Sequence, residues 1–233
     1  MTRTHFKLTA LLVLLITALP VWSQVVTQGQ LEKVKGKVSL VRGQAAPVLL
    51  HDNDAVQSGD EILTDKKSSA TLRIPDGSTV RIYPNSHVVL RPGSGTLKEF
   101  LNLLLGNVRV QIEKLSGRPN PKSMTTPTAI IAVRGTIFHV AVDQNGDTQV
   151  GVEKGLVGVA NLAHPEDEVM VKPGHMVWVR RGQRPTQPQM MNQMNPGMMG
   201  SGMSGMPGIG MPGNSGTMGT RSGSTMGGMG PKH

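Results

Sequence analysis

Across residues 31–179 apolar and polar side chains alternate with period two, the pattern of strands that bury one face and leave the other to water. Val34, Val38 and Leu40 fall on one side, Lys35, Lys37 and Ser39 on the other. The plainest hairpin follows. Ala70, Leu72 and Ile74 alternate with Ser69, Thr71 and Arg73, Pro75-Asp76-Gly77-Ser78 turns the chain, and Val80 and Ile82 return it. A strand is expected at 87–90, ended by Pro92-Gly93-Ser94-Gly95. Others are expected at 138–142, 150–153, 156–160, 168–171 and 176–179, parted by Asn145-Gly146, Lys154-Gly155 and Pro173-Gly174.

Turn signals at intervals of roughly 8 to 12 residues predict an all-β domain, an antiparallel β-sandwich or β-roll of short hairpin-linked strands followed by a disordered C-terminal tail. One stretch, 97–115, reads two ways. Leu97, Phe100, Leu101 and Leu104 fit a helical stripe, whereas Gly106 with Val108, Val110 and Ile112 makes only the second half a strand.

The two ends break the pattern. Arg3 and Lys7 precede an apolar run at 8–19 and then Pro20 and Val21-Trp22-Ser23, the order of a secretory signal peptide with cleavage between Ser23 and Gln24. The run is shorter than the roughly 20 apolar residues of a spanning helix, and no other stretch approaches that length. The mature chain is therefore expected to carry no spanning helix and to be periplasmic or secreted. Residues 183–233 hold 11 of the 15 methionines, 13 glycines and no acid, a composition that buries too little to offset chain entropy. The expected layout is a signal peptide at 1–23, a mature N-terminal lead at 24–30, the β-domain at 31–182 and the tail at 183–233.

Composition narrows the function. The chain has no cysteine, which removes disulfides, thiolate metal sites and cysteine nucleophiles. A formal net charge of +9 favours anionic neighbours such as headgroups, envelope polysaccharide or acidic proteins. Nucleic acid is not an expected partner, because single-strand binders stack bases on aromatic rings and the mature chain offers only Tyr83, Phe100, Phe138 and Trp178.

Several segments resemble the FecR domain, the periplasmic part of the iron-dicitrate type regulators. They run 59–90, 103–112, 126–142, 148–161 and 171–179. The resemblance rests on the ordered series Asp76-Gly77-Ser78, Leu105-Gly106, Thr126-Pro127, Gly135-Thr136-x-Phe138, Glu153-x-Gly155 and Pro173-Gly174. It implies a β-domain with no catalytic residues, since the shared positions are turn formers and core apolars. Regulators of that family resemble anti-sigma proteins with a cytoplasmic domain before a membrane helix. Here only seven residues precede the apolar run, so the expectation is a stand-alone exported member.

No local catalytic or ligand motif appears. His51, His87, His139, His164, His175 and His233 are not paired at metal-binding spacing. His139 is expected to face outward or to be a satisfied, partly buried group, and Gly135-Thr136 to form a bulge or bend. The acids at Asp52-Asn53-Asp54, Asp60-Glu61 and Glu166-Asp167-Glu168 read as solvated loop charge. The one sharp chemical candidate is the cluster Met190, Met191, Met194, Met198, Met199, Met203 and Met206, whose thioethers suit Cu(I) or Ag(I).

The expected function is a non-enzymatic, cofactor-free module that binds an envelope protein or an anionic envelope polymer. The alternatives are soft-metal buffering by the tail, and a sensor linked to iron uptake that lacks its own anti-sigma domain.

Overall fold

The computed structural model describes residues 27–91 and 98–191. The expected leader, the turn at 92–95 and the tail beyond 191 lie outside the described residues.

The described residues form strands arranged in two sheets. The first runs from edge to edge β4 (Ala55–Gln57), β1 (Thr27–Lys35), β6 (Ser69–Arg73), β7 (Thr79–Ile82), the second half of β9 (Lys98–Gln111), β12 (Ile137–Val142), β13 (Thr148–Lys154), β16 (His175–Val179) and β17 (Gln189–Met190). The second runs β3 (Val48–Leu49), β2 (Val38–Arg42), β5 (Asp60–Thr64), β8 (His87–Leu90), the first half of β9, β10 (Lys122–Thr125), β11 (Ala129–Val133), β14 (Val157–Asn161) and β15 (His164–Val171). From β10 onward the chain lays one hairpin in each sheet in turn. Neither sheet closes into a barrel.

The sheets face each other across one core. Leu31, Leu72, Val80, Val110, Phe138 and Val152 from the first sheet meet Ile62, Val88, Leu101, Leu103, Ile131 and Val159 from the second, each at most 1% exposed. Burying a side chain of this kind stabilises the fold by about 1.5–3 kcal/mol relative to leaving it in water, which is how a chain without cross-links holds together.

The ambiguous stretch is strand throughout. β9 is 14 residues long and belongs to both sheets. It pairs with β8 and β10 up to Leu105, then with β7 and β12 from Gly106 onward. The change of sheet falls at Gly106, which has φ 92° and a backbone so close to Asn85 and Ser86 that a Cβ would lie 2.5 Å from Ser86 Cα. Only glycine combines that dihedral with that approach. The helical look of the first half comes from irregular pairing. Phe100 is skipped in the register with β10 and Leu104 in the register with β8, so each bulge shifts the alternation by one position.

Three further expectations are corrected. β9 and β10 pair in parallel, because the chain after β9 crosses back to the second sheet to begin β10 beside residue 98. β1 begins at Thr27, inside the expected lead, since its first residues pair with β4. At the other end, Thr186 exchanges hydrogen bonds with Trp178 (2.9 and 3.0 Å) and β17 pairs with β16, so ordered pairing continues to Met190.

Candidate binding surface

Two open sheets leave four edges, and three are short. β3 and β17 have two residues and β4 has three, lengths that offer little for another chain to pair with. The fourth edge, β15, is eight residues long and pairs only with β14 among the described residues. Alternation along β15 turns Asp167, Val169 and Val171 toward the core side and Glu166, Glu168 and Met170 toward water. Met170 is 47% exposed, and the exposed Leu156 and Leu162 lie at either end of the neighbouring β14. The Glu168 carboxyl group folds over Gly158 on β14, into space that a side chain would fill.

The cations around this edge are few. Arg184 Nε lies 2.7 Å from Asp167, and His164 Nδ1 lies 3.4 Å from Glu166. Asn161 fixes the turn below by donating to the carbonyls of Arg180 and Gln183 (2.9 and 2.6 Å).

The outer face of the first sheet carries a different group. Arg109 reaches Glu153 through two hydrogen bonds (2.9 and 2.7 Å), and His139 bonds the same carboxylate. The Arg109 guanidinium, seconded by His139, holds Glu153 below the usual carboxylate range against the opposing effect of burial. Glu153 sits at the irregularity where Ile137 pairs with Lys154 and Phe138 with Val152. The expected bend is present at Arg134-Gly135, where Gly135 has φ 91°, and the bulge at Glu153 lies on the strand that pairs with the residues after it. Arg81 lies over the Tyr83 ring, 5.3 Å from its centroid. These charges satisfy one another.

A third cluster is buried. Lys122 Nζ lies 2.6 Å from Asp76 Oδ2, with the two side chains 8% and 18% exposed. The same carboxylate accepts hydrogen bonds from Asn120 Nδ2 (2.8 Å) and the Ser78 amide (2.9 Å), and Lys122 stands over the Phe100 ring. Burial works to raise the Asp76 pKa, but these partners outweigh it and hold it at about 2. The Asp-Gly-Ser turn is thus an anchor joining β6–β7 to β10.

Thr126, Thr128 and Thr148 form a hydroxyl network (2.7 and 2.8 Å) that also reaches the Val179 carbonyl. It ties β11 to β13 and β16, so these motif positions hold the fold together.

The expected sites are placed as follows. Met190 is exposed in β17, and a Cβ on Gly151 would lie 3.4 Å from Met191 Sδ and 3.9 Å from Met176 Cβ. Met194, Met198, Met199, Met203 and Met206 lie outside the described residues. His139 is outward-facing and partnered, as expected. The acids depart from the solvated-loop expectation. Asp60 is fully buried in β5, where Arg42 grips both its oxygens (2.7 and 2.8 Å) and the Gln57 amide adds a third bond. Glu166, Asp167 and Glu168 belong to a strand. Asp52 and Asp54 do cap a turn, accepting from the amides of Val34 and His51. The edge character of β15 was missed, although Pro165 followed by three acids is a composition of edge strands.

This geometry defines an open, two-sheet domain of the all-β class. Residues 60–158 match the FecR protein family, over a shorter span than the resembling segments cover. No curated protein matches the sequence. Two crystal structures described as a "putative anti-sigma factor" from Parabacteroides distasonis are similar in fold. The first has a TM-score of 0.46 at 20% identity, covering 56% of this chain and 59% of that one. The second has a TM-score of 0.45 at 20% identity, with the same coverage.

Proposed function

We propose that the protein is an exported, non-catalytic recognition module whose FecR domain takes an extended segment of an envelope protein as an added strand on β15. The observation that carries this is the contrast among the four edges: three are too short to template a strand, and one offers eight residues of backbone beside exposed Met170. Strand addition draws affinity from main-chain hydrogen bonds and specificity from alternate side chains. The leader-like residues 1–23 support action outside the cytoplasm. Photo-cross-linking in cells tests the reading. A cross-linking residue at position 170 should trap one discrete partner, and the same residue at Thr79, on the outer face of the first sheet, should not. Equal trapping at both positions, or none at position 170, overturns it.

A second reading, soft-metal buffering, rests on the 11 methionines of residues 183–233, whose thioethers suit Cu(I). Cu(I) titration against a chromophoric chelator separates the two. Buffering requires the bound copper per chain to fall when residues 192–233 are removed, whereas strand recognition does not depend on them.

A further inference from the structure

We infer that the segment accepted by β15 is basic, an extended stretch with lysine or arginine at alternate positions; this rests on the strand-addition reading above. The protein as a whole is cationic, with 24 lysines and arginines against 15 acids. Its long free edge has the opposite sign. β15 holds Glu166, Asp167 and Glu168 and no lysine or arginine, and the adjacent β14, Val157-Gly158-Val159-Ala160-Asn161, has no charge to neutralise them.

Two of the acids stand on the outward face, where an added strand would place its own alternate side chains opposite them. Opposite charges facing each other across strands are favourable and like charges unfavourable. A second copy of this chain pairing edge to edge would bring acid against acid, so β15 disfavours itself as a partner and favours a cation-bearing one. The chain shows the preferred chemistry within its own fold, since Arg184, the one arginine that reaches this edge among the described residues, docks on Asp167 at 2.7 Å. The basic remainder of the surface sets a constraint on the partner. A protein that is acidic overall but carries a basic extended segment suits both fields, steered by the first and registered by the second.

The test uses three labelled octapeptides, Lys-Thr, Gln-Thr and Glu-Thr each repeated four times, and a form of the first N-methylated at every second residue. Each is titrated into the protein by fluorescence anisotropy at low salt. The Lys-Thr peptide should bind roughly tenfold more tightly than Gln-Thr, the gain expected of two facing charge pairs. Glu-Thr should be weakest, and N-methylation should abolish binding. The double substitution Glu166→Lys and Glu168→Lys, on an exposed strand face and with folding checked by the melting temperature, should reverse the order of Lys-Thr and Glu-Thr. If the three peptides bind alike and N-methylation still abolishes binding, strand addition stands and the basic partner is overturned. If no peptide binds, or N-methylation changes nothing, strand addition itself falls and the inference with it.

Discussion

Lys122 and Asp76 illustrate what a buried ion pair demands. Both are largely out of water, and each oxygen of the carboxylate has a partner. Removing one member leaves the other charged and unpaired, a loss of about 3–5 kcal/mol in such settings. Lys122→Met should therefore destabilise the domain by about 3 kcal/mol in urea unfolding. Replacing both residues by apolar ones of similar size should cost much less.

The pH dependence has a definite sign. Asp76 is held at about 2 in the folded state against an ordinary 3.8. Its stabilising contribution is complete above about pH 4 and is lost as the pH falls toward 2. It amounts to about 2 kcal/mol at neutral pH. Unfolding curves of Asp76→Asn and the unaltered protein should converge between pH 4 and pH 2. Neither this pair nor the grip of Arg42 on Asp60 was legible in the sequence. Local alternation tells which residues face inward, but the cation that makes an inward acid tolerable comes from another strand.

At the scale of elements the sequence was most readable where strands are regular. Residues 70–82 form the expected hairpin in register, Ala70 opposite Ile82 and Leu72 opposite Val80. It was least readable in β9, where bulges at Phe100 and Leu104 break the period and a sheet change follows. Edge status is a further property that periodicity does not encode. β14 and β15 are consecutive in the chain, yet one is paired on both sides and the other on one side.

Protection against hydrogen exchange should sort the strands accordingly. Amides at 108–110, paired on both sides in the centre of the first sheet, should exchange only through global opening. Amides of β3 and β17 should exchange far faster. Fast exchange throughout β9 would contradict its place at the centre of both sheets.

For the whole molecule, the folded unit is longer than 31–182 at both ends. The segment 183–191 contributes the Thr186 bonds to Trp178, the pairing of β17, and Met191 over Gly151. A chain ending at Gly182 should melt several degrees below one ending at Met191, since each kcal/mol lost shifts the midpoint by about 2–4 °C for a domain of this size. Equal midpoints would show that the segment adds nothing to the fold. The class of the domain could be read from its turn series, but its long free edge could not. The turns are local dihedral requirements, and the edge is defined by which strands the chain leaves unpaired.

The shared strand has a kinetic side. During synthesis, residues 27–91 emerge first and leave β7 at the end of one half-sheet and β8 at the end of the other. Both wait for the same 14 residues. Until β9 arrives and kinks at Gly106, the nascent N-terminal half presents two incomplete, sticky edges. Docking of that one strand closes them together and provides the template on which the second half is laid down. Folding should therefore hinge on a late, long-range event, slow in the manner of domains rich in distant pairings. A variant that stiffens Gly106 would then leave the half-built form as prey for aggregation and proteolysis.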